Sequence, residues 1–208
     1  WKTFFHPFTV GDLLIKPTWE EVPEEDQDKL VIEIDPGTAF GTGMHETTQL
    51  CIRQLQKYMQ AGDEIADIGT GSGILGITAL KLGAGHVYGT DLDEEAVPAV
   101  HDNLQANGLP ESCFDMVVGN VIGDEDIKTR MGLGKYDIVV ANILAPVIVL
   151  LTGEVGPLLK KDGLFITSGI LDQREAKVLE AFRQHEDIWE VLEVNHQGEW
   201  VNVTARRK

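Results

Sequence analysis

The sequence has few cysteines, no long apolar run and no repeats. Its two cysteines, Cys51 and Cys113, have no metal-ligand spacing around them. We expect both to be small core residues in a reducing cytosol, neither disulfide-bonded nor metal-binding. No stretch of about 18 apolar residues occurs, which argues against a membrane span. These absences favour a cytoplasmic globular protein.

Basic residues are scarce relative to acidic ones. The 208 residues include 34 Asp and Glu against 17 Lys and Arg, a formal net charge of −17. Such a charge repels phosphates, so direct binding of nucleic acid is not expected. A basic protein partner would be attracted instead, although acidity also keeps a protein soluble without any partner.

The N-terminus lacks both an initiator Met and the basic-then-apolar order of a signal peptide. It reads Trp1-Lys2-Thr3-Phe4-Phe5, so we expect the sequence to begin partway along a longer protein. Its length suits one domain, or one domain with a short leading segment. The acidic stretch 20–28 is predicted to be an exposed linker.

Short apolar runs alternate with amphipathic ones from Glu64 onward. Strands are predicted at 65–68, 87–90, 114–118, 136–141 and 164–167, and helices at 73–82, 94–107, 145–159 and 173–182. This alternation predicts an α/β fold with a Rossmann-like, doubly wound, mostly parallel sheet. The last two runs, 189–194 and 199–205, flank Asn195-His196-Gln197-Gly198 and predict an antiparallel C-terminal hairpin strand. That ending is typical of methyltransferases and much less usual in nicotinamide dehydrogenases.

A glycine-rich turn, Asp67-Ile68-Gly69-Thr70-Gly71-Ser72-Gly73, follows the strand at 65–68. Its alternating glycines remove Cβ atoms that would keep a ligand off the backbone, and they permit positive φ. Helix N-terminal amides then face the crevice where doubly wound sheets bind ligands. We therefore predict that Gly69 and Gly71 bind a cofactor; an ordinary tight turn is the alternative.

The same stretch also satisfies a dinucleotide pattern, because residues 71–76 read G-x-G-x-x-G. In dinucleotide sites the first glycine closely follows the strand. Here that glycine is Gly69, and the sixth position counted from it is Ile74. The register therefore disfavours a nicotinamide cofactor, as does Asp67, an acid more typical of methyltransferases.

Two further strands end in polar residues at the same edge. Asp91, 22 positions beyond Gly69 (91 − 69), can accept both hydroxyls of a ribose, as acids of NAD enzymes also do. Asp93 is predicted to cap the next helix.

Asn142 can accept a hydrogen bond from a target amino group and so aim the lone pair of the amine nitrogen at a methyl group. The alternative is that Asn142 caps the helix predicted from Ala145. The following Ile-Leu-Ala lacks an aromatic to stack on a flipped base, which argues against adenine as substrate.

The segment 35–48, Asp-Pro-Gly-Thr-Ala-Phe-Gly-Thr-Gly-Met-His-Glu-Thr-Thr, precedes a predicted helix. Thr47 or Thr48 can cap that helix, and a capping hydroxyl can equally bond a cofactor's carboxylate. Phe40 and His45 can close over a methyl donor. A plain connecting loop is the alternative.

Four segments together resemble the bacterial ribosomal protein L11 methyltransferase family: 35–48, 67–75, Ala-Asn-Ile-Leu at 141–144 and Ser-Gly-Ile-Leu at 168–171. The resemblance covers nearly the whole chain. It implies that residues 30–208 are an S-adenosylmethionine-dependent catalytic domain and that residues 1–29 are an interdomain linker, the family's N-terminal substrate-binding domain being absent. It also implies cofactor contacts at the positions of Thr48, Gly69, Asp91 and Asn142.

The resemblance implies methyl transfer to the N-terminal α-amine and lysine ε-amines of a large-subunit ribosomal protein, with S-adenosylhomocysteine as the product. An α-amine (pKa about 7.7–8.0) is partly neutral at pH 7, whereas a lysine (about 10.4) is almost wholly protonated and must lose a proton first. Asn142 is the expected catalytic residue, and His45 is the one candidate base. Two alternatives remain: a methyltransferase of a small molecule or another protein, and a non-catalytic module that binds an adenosine ligand.

Overall fold

A computed structural model of the chain describes residues 5–36 and 44–208, which form two sheets and the helices around them. The strands are β1 Phe8–Val10, β2 Leu13–Lys16, β3 Leu30–Glu33, β4 Glu64–Ile68, β5 His86–Asp91, β6 Phe114–Val118, β7 Tyr136–Asn142, β8 Leu159–Leu171, β9 Trp189–Gln197 and β10 Trp200–Arg207. The α-helices are α1 Met44–Tyr58, α2 Ile74–Lys81, α3 Ala96–Ala106, α4 Glu125–Met131, α5 Ala145–Leu151 and α6 Glu175–Gln184.

The large sheet has seven strands in the order β6-β5-β4-β7-β8-β10-β9. The first five are parallel, and β10 lies antiparallel between β8 and β9. From β4 the chain moves outward through β5 and β6, then returns to the other side of β4 for β7. Loops that diverge at such a switch point leave a crevice at the carboxyl edge. The predicted Rossmann-like sheet with an antiparallel C-terminal strand is confirmed.

The central strands are buried on both faces, as parallel strands covered by helices usually are. Ile65 of β4 and Ile138 of β7 belong to one apolar cluster, which includes residues of α1, α2 and α3. Their neighbours Ala66 and Val139 belong to a second cluster, which includes residues of α5 and α6. Side chains alternate across the sheet, so helices on both sides hold the strand ends in place.

The small sheet joins the same core. Strand β2 pairs antiparallel with β1 and parallel with β3, and Val10, Leu13 and Ile15 belong to the apolar cluster that contains Ile65. Strands β1 and β2 were not predicted, because runs of three and four residues are too short to show a period. The role of residues 1–29 as an interdomain linker stays a prediction.

Asn103 of α3 and Asn107 directly after it hold the end of β3 and the chain that follows. Asn107 accepts from the Glu33 amide at 2.9 Å and donates to the Glu33 carbonyl at 2.7 Å. Asn103 does the same for Asp35, at 2.9 and 3.1 Å, and also donates to the Ser72 carbonyl at 2.8 Å. Their side-chain amides thus replace a neighbouring strand, and Asn103 connects Asp35 to the glycine-rich turn.

Three predicted elements need correction. The helix predicted at 145–159 ends at Leu151, and a short 3-10 turn, Gly156–Leu158, follows; Pro157 cannot donate an amide bond within a helix. The predicted strand 164–167 is part of the longer β8. The hairpin turn is Gly198-Glu199 rather than four residues, because Asn195 stays in the ladder opposite Asn202. Helix α4 was not predicted.

Both cysteines are free, as predicted: Cys51 is buried in the core and Cys113 is half-buried. Among residues 5–36 and 44–208, no helix is long and apolar enough to cross a membrane. The same residues contain no cluster of three His, Cys, Asp or Glu side chains that could hold a metal ion.

Replacement of Asn103 by Ala tests the hydrogen bonds of Asn103 to Asp35 and Ser72, which we call the asparagine clamp. The change removes the partner of three backbone groups in residues 35 and 72. Because an unpaired buried polar group costs about 1–3 kcal/mol, we expect the free energy of unfolding in urea to fall by about 2–4 kcal/mol. Gln105→Ala, at an exposed position of the same helix, is the control and should change it by less than about 0.5 kcal/mol. Equal stabilities would show that the clamp contributes nothing.

Candidate functional site

A cavity of about 660 Å³ lies at the carboxyl edge of the large sheet. Its volume falls within the range of small-molecule sites, about 300–1,000 Å³. Of the described residues that line it, 67–72, 90–92, 119–122 and 142–144 come from the ends of β4, β5, β6 and β7 or from the loops that follow them. The others lie on α1, α2, α5, β8 and β10: Thr47, Ile74, Leu75, Val147, Leu150, Leu151, Gly169 and Trp200. The crevice predicted from the switch point is therefore present.

The glycine-rich turn forms the cavity floor. Gly69, Gly71 and Gly73 have φ of +75°, +56° and +86°, a region that disfavours side chains. A Cβ on Gly69 would lie 2.8 Å from Cγ2 of Ile143. The amides of Gly69 and Thr70 donate to the carbonyl of Thr90 at 2.8 and 2.9 Å, which fixes the turn against the end of β5.

Gly76, the last glycine of the alternative dinucleotide pattern, lies within α2. A Cβ there would come within 2.6 Å of Cε2 of Phe114. Helix α2 therefore packs closely on the sheet at Gly76, and this close packing explains why a glycine occupies the position. The turn itself begins at Gly69, directly after β4 ends.

Asp91 ends β5 and is half-buried on the cavity wall. Its Oδ2 accepts from the Gly71 amide at 2.8 Å, and its Oδ1 accepts from the Asp93 amide at 2.9 Å. These bonds hold the carboxylate still while each oxygen keeps a lone pair for a ligand. Asp93 accepts from the Glu95 amide at 2.9 Å in the turn before α3, but the N-cap of α3 is Glu95 without a side-chain cap bond, so the predicted cap at Asp93 is not found.

Asp67 is a buried carboxyl on the same wall, with only 2% of its surface exposed. Burial raises the pKa of Asp67 to about 8, the amide of Gly76 in α2 opposes the rise, and the charge of Asp91 adds to it. Its Oδ2 has no hydrogen-bond partner among the described residues. The cavity thus contains two acids, and no Lys, Arg or His is found among its described lining residues.

Asn142 is the last residue of β7 and faces the same cavity. Its Nδ2 donates to Oγ1 of Thr47 at 3.2 Å. Its Oδ1 is buried and has no partner within the described part of the chain. Helix α5 begins after Leu144 without a side-chain cap, so the alternative role of Asn142 as a cap is not found. The amide oxygen is thus a buried acceptor without a partner in that part of the chain, on a residue that lines the cavity.

The predicted caps of α1 need correction. The helix begins at Met44, so Thr47 and Thr48 lie inside its first turns rather than at its N-cap. Thr47 lines the cavity, whereas Thr48 is fully buried and does not. The Thr48 Oγ1 has no hydrogen-bond partner among the described residues. The predicted cofactor contact of Thr48 stays a prediction.

The structure does not bring His45 to the cavity. Its ring packs against those of Phe5 and Phe8, with centroids 5.8 and 4.8 Å away. Burial lowers the pKa of His45 below its usual value. These contacts give His45 a packing role, and its assignment as a base receives no support from the cavity. Phe40, also predicted to close over the donor, lies outside the described residues.

Several lining residues were missed by the sequence analysis. Asn120 follows β6, and its Oδ1 accepts from the Ile122 amide at 3.0 Å; the argument from parallel strand ends, applied to β6 as well, would have found it. Leu92 and Leu144, exposed by 71% and 69%, form an apolar rim. Trp200 reaches the cavity because β10 inserts beside β8, which no local pattern indicates.

Comparisons with known proteins agree over the full chain. The family model described as "Ribosomal protein L11 methyltransferase" matches residues 1–208. Two relatives carrying that name, from Agathobacter rectalis and Lachnospira eligens, are 54% and 51% identical over 100% of this chain, which spans 64% and 65% of their lengths. The crystal structure of a ribosomal protein L11 methylase from Lactobacillus delbrueckii subsp. bulgaricus is 33% identical, with a TM-score of 0.84 over 98% of this chain and 100% of that one. The chain belongs to the ribosomal protein L11 methyltransferase family.

Proposed function

We propose that this chain transfers methyl groups from S-adenosylmethionine to amino groups of ribosomal protein L11 in the cytoplasm. The targets would be the N-terminal α-amine and lysine ε-amines. One observation carries the proposal: the buried amide oxygen of Asn142, with no partner among the described residues, lies in the same cavity as the glycine-rich turn and Asp91. Family membership supports it, and the net charge of −17 suits a basic protein substrate.

The cavity wall fits the adenosine part of the donor. Asp91, held by two backbone amides, would accept the ribose hydroxyls. Gly69 and Gly71 leave room for the ligand beside the backbone. Leu92 and the amide of Asn120 would flank the base.

The charges of the cavity also favour this donor. S-adenosylmethionine carries positive charge on its sulfonium and its ammonium group, and it supplies an activated methyl when bound. The carboxylate of Asp91 favours a cation there, whereas Asp67, with its pKa raised to about 8, is mostly protonated at pH 7 and adds little charge. A dinucleotide would instead bring two phosphates to a wall that carries the Asp91 carboxylate and, among its described residues, no basic side chain.

Asn142 would position the target amine. Its Oδ1 accepts one N–H, which leaves the nitrogen lone pair free to point at the methyl group; such alignment is the protein's main contribution to a displacement reaction. The apolar rim, with Leu144 on it, removes water from a lysine side chain and so lowers the pKa of its amine. The proton then leaves to solvent before attack, and no base of the chain is required.

The test is transfer of a labelled methyl group. The chain, alone and within its full-length protein, is incubated with labelled S-adenosylmethionine and unmodified ribosomal protein L11, and the label is mapped by mass spectrometry. We expect label on the N-terminal amine and on lysines. Label on other ribosomal proteins only, or on small molecules only, would assign another substrate. Donor binding without any label would indicate a non-catalytic binding module.

Replacement of Asp91 by Ala should weaken donor binding. If charge-assisted bonds of about 1.5–3 kcal/mol hold the ribose, the dissociation constant rises about 10–150-fold. Isothermal calorimetry measures it. The matched control is Asp93→Ala, an acid two positions away that does not line the cavity, which should change the constant less than about threefold. An unchanged constant in Asp91→Ala would remove Asp91 from the site.

Replacement of Asn142 by Ala should reduce turnover more than donor affinity. The amide oxygen contacts the target amine, so its loss misplaces the nucleophile while the adenosine contacts remain. Turnover with the ribosomal protein and the donor dissociation constant are measured on the same preparation. A large loss of donor affinity at nearly normal turnover would assign Asn142 to donor binding alone.

The raised pKa of Asp67 predicts that the free energy of unfolding depends on pH. Its pKa is raised to about 8 in the folded protein, against about 3.9 when unfolded. The folded state therefore holds the proton more tightly, and this contribution is full below pH 4 and is lost as the pH rises through about 8. Urea unfolding of the wild type should lose up to about 1.4 kcal/mol per pH unit across that window, relative to Asp67→Asn. If the free energies of unfolding of the wild type and of Asp67→Asn changed with pH in the same way, this would contradict the raised pKa.

A further inference from the structure

We propose that Thr47 is a positioning residue that sets which end of the Asn142 side-chain amide faces the cavity. The inference deepens the proposed function and rests on it for the role of that amide in turnover. The contact that carries it joins Oγ1 of Thr47, on α1, to Nδ2 of Asn142, at the end of β7, over 3.2 Å.

A side-chain amide has two ends of nearly equal size, so packing alone does not choose between them. A half-turn of the group would exchange its oxygen for its NH₂. An amine that approaches to be methylated brings N–H donors, and only the oxygen end can accept them. In the exchanged orientation, the NH₂ group of Asn142 would face the N–H donors of the amine, and no hydrogen bond would hold the amine in place.

The Thr47 hydroxyl favours the productive orientation because it accepts from the NH₂ end. Thr47 is 1% exposed, so solvent does not compete for this bond. A helical threonine commonly gives its own proton to the carbonyl of the preceding turn, which leaves its lone pairs for a neighbour. With Nδ2 engaged, the buried Oδ1 of Asn142 has no other partner among the described residues, and Asn142 lines the cavity.

Both ends of the contact are held by the backbone. The amide after Asn142, that of Ile143, donates to the Ser168 carbonyl at 3.1 Å. Gly169 packs so closely on this peptide that a Cβ there would lie 2.5 Å from the Ile143 carbonyl oxygen. On the other side, α1 packs along β8 and β10. The positions of Thr47 and Asn142 are thus fixed by the elements on which they lie. The hydrogen bond between them then holds the side-chain amide of Asn142 in one orientation.

The first experiment compares turnover with donor affinity in two variants. Thr47→Val keeps the shape of the side chain and removes the acceptor, whereas Thr47→Ser keeps the acceptor. We expect turnover of Thr47→Val to fall about tenfold, the equivalent of about 1.4 kcal/mol, with a donor dissociation constant within about threefold of wild type. Thr47→Ser should restore most of the turnover.

The matched control is Thr78→Val, which removes a buried hydroxyl of α2 that has no partner among the described residues and lies outside the cavity lining. It should leave turnover unchanged. Equal loss in the Thr47→Val and Thr47→Ser variants, or wild-type turnover in Thr47→Val, would overturn the proposal.

The second experiment does not depend on catalysis. The side-chain NH₂ signals of Asn142 are identified in a nitrogen-15 spectrum of the donor-free protein as the pair missing from Asn142→Asp. We expect a pair with slow solvent exchange in wild type and in Thr47→Ser, and faster exchange with changed shifts in Thr47→Val. An unchanged pair in Thr47→Val would overturn the inference. Absence of methyl transfer by wild type would count against the proposed function alone, since the spectrum decides the role of Thr47.

Discussion

The reversal of strand order at β4 is the constraint on which the rest of the molecule depends. Because β5 and β7 lie on opposite sides of β4 and run parallel to it, the loops leaving β4 and β7 separate and open a cavity. Every strand that ends there delivers a side chain or a turn to the same place. The glycine-rich turn, Asp91, Asn120 and Asn142 share one cavity for this reason, although they are far apart in sequence.

Hydrogen bonds between elements then give the cavity its shape. Asp91 holds the Gly71 amide, the end of β5 holds the turn through the Thr90 carbonyl, and Asn103 holds the Ser72 carbonyl. The site is therefore organised by its own residues. Its electrostatic character follows from the Asp91 carboxylate, which no basic side chain among the described lining residues balances, and a cationic ligand relieves that imbalance.

The sequence predicted the features that depend on local pattern. Alternating apolar runs predicted the parallel sheet, alternating glycines predicted the turn, and the ends of predicted strands located Asp91 and Asn142 at one edge. The predicted length of the helix after Ala145 was wrong, because the apolar pattern continues to Leu159 whereas the helix ends at Leu151, ahead of the 3-10 turn Gly156–Leu158. The very short strands β1 and β2 were missed for lack of any measurable period.

Features that join distant segments were not predictable in this way. The clamp of Asn103 on Asp35, the contact between Thr47 and Asn142 and the position of Trp200 each join residues that only the folded chain brings together. His45 shows the reverse case. Its place in a specific motif suggested chemistry, whereas the folded chain packs it between Phe5 and Phe8.

The most direct test of the central claim is a crystal structure of this chain grown with S-adenosylhomocysteine and an excess of a nicotinamide dinucleotide. The account predicts S-adenosylhomocysteine in the cavity, with both ribose hydroxyls on Asp91 and the sulfur beside Asn142. A dinucleotide in that cavity, or S-adenosylhomocysteine bound elsewhere on the chain, would contradict it.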